Sequence, residues 1–135
     1  MINYIKYLKH LFYKKYHVEM TYFVTGLCNY RCPFCFNLEV VKNPNVSQDL
    51  SIDELEKFTK TIPPFLRLSL SGGEPFLRSD LDQICTIFYK NCKVKVITIP
   101  TNGSVSEKII PKIKEITSQC PNLILHVSIS LDELG

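Results

Sequence analysis

Strand-like and helix-like segments alternate along this chain, and that alternation limits its fold more than any other feature. Residues 19–25 (EMTYFVT), 66–71 (LRLSLS), 93–100 (KVKVITIP) and 122–131 (NLILHVSISL) read as strands. Residues 51–62 (SIDELEKFTKTI), 79–91 (SDLDQICTIFYKN) and 106–118 (SEKIIPKIKEITS) read as helices. Ser51 and Glu54 form a capping box at the start of the first helix, and Ser79 can cap the second. Pro111 kinks the third helix or marks its true first turn. The βαβαβαβ order predicts a parallel sheet with crossover helices.

The strand faces narrow the architecture. In the fourth strand Leu123, Leu125, Val127, Ile129 and Leu131 share one side, and His126, Ser128 and Ser130 share the other. In the second, Leu66, Leu68 and Leu70 oppose Arg67, Ser69 and Ser71. A doubly wound sheet buries both faces and favours continuous apolar runs. Here one face suits packed helices, and the other is small and polar enough to line a lumen. The expectation is an α/β fold of partial (β/α) barrel type, with its site at the C-terminal ends of the strands. A sheet ending at strand four would expose an unpaired edge, so residues 19–135 are expected to be the front part of a longer barrel.

The chain has 135 residues, 45% of them apolar and 21% charged, enough for one domain with a hydrophobic core. No apolar run approaches the ~18 residues of a membrane span. The net charge of +3 is unevenly placed: residues 1–17 hold four lysines and no acid, and the other 118 carry twelve basic and thirteen acidic residues. Ile5, Leu8, Leu11 and Phe12 fall at helical spacing, so residues 1–18 are expected to form a basic amphipathic helix. Lys6, Lys9, Lys14 and Lys15 interrupt that pattern and argue against a secretory signal. The expected compartment is the cytoplasm, where six cysteines mean free thiols or metal ligands more than disulfides. Nothing argues for nucleic acid as a partner.

Residues 26–37 (GLCNYRCPFCFN) place Cys28, Cys32 and Cys35 at C-x3-C-x2-C spacing, following the first strand. Structural zinc wants four ligands, commonly as two pairs, and only one C-x2-C pair is present. Neither common ferredoxin spacing fits. A cubane 4Fe–4S cluster held by three thiolates leaves one iron free for a small molecule. A zinc-stabilised binding module stays open as the rival, and would need a fourth ligand from elsewhere.

Residues 71–78 (SGGEPFLR) follow the second strand at the same end of the sheet. Gly72 and Gly73 let backbone come close to a ligand, Pro75 stiffens the exit, and the Glu74 carboxylate could hold an ammonium group. The cysteine loop with Phe34 before its last cysteine, together with Gly72-Gly73-Glu74-Pro75, resembles the radical S-adenosylmethionine (radical SAM) superfamily. PTNG at 100–103 and SLDELG at 130–135 look most like the branch holding the molybdenum-cofactor cyclase and the SPASM-domain peptide- and protein-modifying enzymes.

That resemblance, over about Met20 to Gly135, implies specific roles. Cys28, Cys32 and Cys35 would ligate three irons of a 4Fe–4S cluster, and S-adenosylmethionine (SAM) would chelate the fourth. Gly72, Gly73 and Glu74 would bind the methionine amino group, and Phe34 would contact the adenine. Ser130, or Ser128 as second choice, would meet the ribose or methionine end, with Thr101 and Asn102 at the rim. An electron from a ferredoxin- or flavodoxin-like donor would cleave SAM to a 5′-deoxyadenosyl radical, which abstracts hydrogen from a peptide, protein or small metabolite. The family core has six βα units, so later SAM contacts would be missing here. A truncated, inactive cluster-binding fragment is therefore the alternative.

Other candidates read more plainly. Cys85 lies with Leu81, Ile84 and Phe88 on one helical face as a core residue. Cys92 and Cys120 close their helices as incidental thiols, with an auxiliary cluster as the lesser reading. His126 is expected to be a hydrogen-bonded interior histidine, two positions deeper than Ser128. A valine at Gly73 is expected to intrude on SAM while sparing the cysteines, which sit on a different loop.

Overall fold

The computed structural model describes residues 18–131. The expected basic helix over 1–18 lies outside these residues, apart from Val18. Four strands, β1 (Glu19–Thr25), β2 (Arg67–Gly72), β3 (Val96–Thr101) and β4 (Ile124–Ile129), form one parallel sheet in the order β1-β2-β3-β4. The helices are α1 (Leu38–Lys42), α2 (Ile52–Thr61), α3 (Leu81–Asn91) and α4 (Ser106–Gln119). The parallel α/β architecture matches the expectation. The five-residue α1 and the 3₁₀ turn Val46–Gln48 were not anticipated, because both are too short to show a period.

Local chemistry explains the helix ends. The α2 capping box forms as read: Glu54 N–H donates to Ser51 Oγ at 3.3 Å, and Ser51 N–H donates to Glu54 Oε2 at 2.9 Å. At α3 the N-cap is Asp80 and not Ser79, and Asp80 makes no side-chain cap. Its carboxylate instead accepts from Arg78 Nε at 2.7 Å. α4 runs unbroken from Ser106, so Pro111 is neither a start nor a break. Pro111 faces solvent, where its missing N–H costs one internal hydrogen bond. β3 and β4 begin later than expected because Lys93 (φ 57°) and Asn122 (φ 68°) turn the chain through left-handed backbone first.

Alternation then sorts the side chains. Met20, Leu68, Ile97 and Leu125 stand in register across the four strands on the helix-facing side. That face and the inner sides of α2 and α3 enclose Leu55, Leu81, Ile84, Cys85 and Phe88, all fully buried. Phe88 is the centre: its ring lies 6.0 Å from Tyr22 and 6.3 Å from Phe65. Truncating it to alanine would cost about 3–5 kcal/mol.

The opposite face carries a second row in register, Thr21, Ser69, Thr98 and His126. His126 is solvent-exposed and has no side-chain hydrogen bond among the described residues, which corrects the interior placement. Ile129 and Leu131 also depart from expectation, at 61% and 81% exposed. β4 is the last strand in the order, and no described helix follows it to cover them.

Candidate functional site

The site begins with an irregularity in β1. Phe23 pairs with Ser71 and Thr25 with Gly72, so Val24 is an extra residue in the register. Val24 and Thr25 are consecutive buried residues, and alternation is broken there. The Val24 carbonyl accepts from the Arg78 guanidinium, which also reaches the Leu50 carbonyl and Asp80. Arg78, the last residue of the glycine motif, thus holds the end of β1 where the chain enters the cysteine loop.

The glycine turn and the cysteine loop are joined through backbone. Gly73 N–H donates to Thr25 C=O at 2.8 Å, and Glu74 N–H donates to Leu27 C=O at 2.7 Å. A Cβ at Gly73 would sit 2.0 Å from Leu27 O and 3.0 Å from Cys28 Cβ. At Gly72, where φ is +127°, a Cβ would sit 2.3 Å from Thr25 O. Either contact is impossible without moving main chain. The expectation that a side chain at Gly73 spares the cysteines is therefore overturned: the two loops are one packed unit.

Glu74 closes the unit from the other side. Its side chain is fully buried. Oε1 accepts from Phe76 N–H at 3.1 Å and Thr101 Oγ1 at 2.9 Å, and Oε2 accepts from Asn102 N–H at 2.8 Å. One carboxylate so ties the glycine turn to the end of β3. Lone-pair capacity remains for one further donor.

Cys28, Cys32 and Cys35 are half-buried, unpaired thiols on the wall of one cavity of about 270 Å³. The same cavity is lined by Phe34, Gly72, Gly73, Glu74, Thr101, Asn102 and Ser130, so these sequence candidates come together. Ser128 lies on β4, two residues before Ser130, and outside the lining. Ser71, read from the sequence as part of the polar strand face, lines the cavity as well, and so do Tyr30, Phe36 and Pro100, which had no assigned role. Phe34 is 66% exposed, a free ring face at the mouth. Within the loop, Cys35 N–H donates to Cys32 C=O at 3.1 Å, and Arg31 donates to Cys28 C=O at 2.7 Å.

The donor chemistry discriminates between metals. Three thiols face the cavity, and the other three cysteines are buried in the core on the far side of the sheet. Among the described residues no three Cys, His, Asp or Glu side chains converge as a single ion requires. A sulfur-only set of three on the wall of one cavity fits an iron–sulfur cluster in donor type. It lacks the fourth ligand of structural zinc.

Residues 22–134 match the family model described as "Radical SAM superfamily". Among curated relatives, a probable GTP 3′,8-cyclase of Methanococcus maripaludis is 33% identical over 113 residues, covering 82% of this chain and 35% of the relative. The mitochondrial GTP 3′,8-cyclase of Arabidopsis thaliana is 31% identical, covering 73% of this chain and 26% of its own length. The chain thus spans about a third or less of the length of these two relatives. Among solved structures, BtrN in an open conformation superposes with a TM-score of 0.51 at 18% identity, covering 85% of this chain and 58% of that one. BtrN in complex with AdoMet and 2-DOIA gives 0.50 at 19% identity, covering 75% and 43%. At that identity the likeness speaks for the fold.

Proposed function

The chain belongs to the radical SAM superfamily, and from that premise we propose that it is the SAM-activating part of a radical SAM enzyme. Cys28, Cys32 and Cys35 would hold a 4Fe–4S cluster, with SAM at its open iron. The carrying observation is the shared cavity, in which three half-buried thiols face a glycine turn hydrogen-bonded to their own loop. When bound, cluster and SAM together supply reductive cleavage of the sulfonium bond and a radical that abstracts hydrogen.

The chain's own residues do the holding. Gly72 and Gly73 keep the turn's backbone open to the methionine amino group, and Glu74 offers its remaining acceptor capacity. Phe34 lays its exposed ring against the adenine. Ser130 meets the ribose or methionine end, with Ser128 as second choice, and Thr101 fixes Glu74 from below. Asn102 sits at the rim. A ferredoxin- or flavodoxin-like donor supplies the electron. Residues 19–135 form the N-terminal part of the core, preceded by the segment 1–18.

Of the two substrate classes expected, a small metabolite is favoured over a peptide, because the relatives are named GTP 3′,8-cyclases. The small polar row Thr21, Ser69, Thr98 and His126 beneath the rim suits a hydrogen-bonding ligand. Six unpaired cysteines accord with a reducing compartment such as the cytoplasm. No described helix is long and apolar enough to cross a membrane.

Anaerobic reconstitution with iron and sulfide tests the reading. It should give a brown protein that, once reduced with dithionite, shows an electron paramagnetic resonance signal that changes when SAM is added. Equal iron uptake by a variant with alanine at Cys28, Cys32 and Cys35 would refute it, and one tight zinc without sulfide would favour the binding-module rival.

A further inference from the structure

The three loop cysteines are not equivalent. Cys28 Sγ faces two N–H donors, the Tyr30 amide at 3.4 Å and Asn102 Nδ2 at 3.9 Å. No N–H donor reaches Cys32 or Cys35 sulfur among the described residues. The Asn102 amide orientation is fixed by its surroundings. Its Oδ1 accepts from Ser104 N–H at 2.9 Å and Ser104 Oγ at 2.5 Å, and Nδ2 donates to Asn29 Oδ1 at 3.0 Å. The second Nδ2 hydrogen is left for Cys28. The backbone N–H of the same residue donates to Glu74 Oε2 at 2.8 Å. One residue therefore touches the glycine-turn carboxylate with its main chain and a cysteine sulfur with its side chain.

Resting on the cluster reading above, we propose that Asn102 is a positioning residue that couples the glycine turn to Cys28. A ligand engaging Glu74 is sensed at the Cys28 sulfur through it, and its N–H raises the reduction potential of the cluster. The physics is direct. An N–H aimed at a ligating thiolate withdraws charge from the iron and favours the reduced state, and such contacts are among the levers that set cluster potentials. Glu74 is held by three donors, so a cation placed on it alters its pull on Asn102 N–H. The Asn102 side chain shares that backbone unit.

The test is potentiometry of the reconstituted cluster, with and without SAM, in wild type and in Asn102→Ala, Asn102→Asp and Asn29→Ala. Iron and sulfide in the wild type report on the cluster reading; differences between wild type and variants report on Asn102. The expected result is wild-type iron content with a more negative potential in Asn102→Ala, more negative still in Asn102→Asp, and a smaller SAM-induced change in both. Asn29→Ala keeps the donor and should move the potential less. An unchanged potential in Asn102→Ala, or an undiminished SAM-induced change, overturns the proposal. It is also overturned if Asn29→Ala matches Asn102→Ala, or if neither Asn102 variant takes up iron, since the residue would then be holding the loop and not tuning it.

Discussion

Three of the six cysteines stand on the rim loop and three in the core behind the sheet, and the two groups differ in everything but the side chain. Cys28, Cys32 and Cys35 are half-buried around a cavity on a loop held by main-chain hydrogen bonds. Cys85 and Cys92 are fully enclosed, and Cys120 is 2% exposed. Burial pushes the Cys85 thiol well above its ordinary range and Cys92 up to about 11; it raises Cys120 too, although a contact from the Thr86 hydroxyl works the other way. A thiol held protonated is neither a nucleophile nor a metal ligand. In the core, cysteine acts as a small apolar residue; at the rim, its sulfur stays accessible from the cavity, as the ligand role proposed above requires.

The sharpest way to break this contrast is to delete each group in turn. Alanine at Cys28, Cys32 and Cys35 should abolish iron and sulfide uptake while leaving the denaturation midpoint close to wild type. Alanine at Cys85, Cys92 and Cys120 should leave iron per folded molecule unchanged and cost about 2–5 kcal/mol in urea denaturation. Iron loss in the second variant would erase the distinction.

Gly73→Ala tests whether the rim group depends on its scaffold. All six cysteines remain, yet the new Cβ needs space held by Leu27 O. The expected outcome is a stability loss of about 1–3 kcal/mol and poor iron uptake, read by denaturation and metal analysis. Normal uptake would mean that the loop relaxes freely. Glu74→Gln is subtler. An amide cannot present two acceptor oxygens to Phe76 N–H, Thr101 Oγ1 and Asn102 N–H, so about 1–3 kcal/mol should be lost in thermal or chemical unfolding.

The smallest effect concerns alkaline pH and the core group alone. Cys92 holds its proton to about 11 when folded, against an ordinary value of 9.0. The folded state binds more protons than the unfolded one in that window, so stability is full below about 9 and falls as pH rises toward 11. Denaturation midpoints measured across this window should decline, and Cys92→Ala should decline less steeply.

Much of this was legible in the sequence because it rests on period and cap chemistry. The two-residue alternation in β2 and β4 identified a two-faced parallel sheet, and Ser51 with Glu54 marked a helix start that forms as read. Cys85, Leu81, Ile84 and Phe88 share the core as their spacing implied. What escaped depends on partners distant in the chain. Ser79 is not the cap because the helix starts one residue later, behind Asp80, whose carboxylate is taken by Arg78, and the need for glycine at 73 is set by Leu27, forty-six positions earlier. The Asn29 to Ser104 bond, spanning 75 positions, has no local signature at all.

The extra residue at Val24 has a consequence that substitutions cannot expose. Between the regular part of β1 and Cys28, chain length is itself a specification: the Val24 carbonyl is spent on Arg78, Thr25 and Leu27 carbonyls on the glycine turn, each at a fixed count from the first cysteine. Removing one residue from this stretch would restore a regular strand and put every later group out of phase, even if each remaining side chain were kept. Adding a residue between α1 and the Val46–Gln48 turn, where Asn43 and Asn45 are exposed and Pro44 is half-buried, displaces no carbonyl held at a fixed count from Cys28. A scan of single deletions and insertions should therefore show an intolerant window at 24–28 beside a permissive one at 43–45, a boundary drawn by counting and not by chemistry.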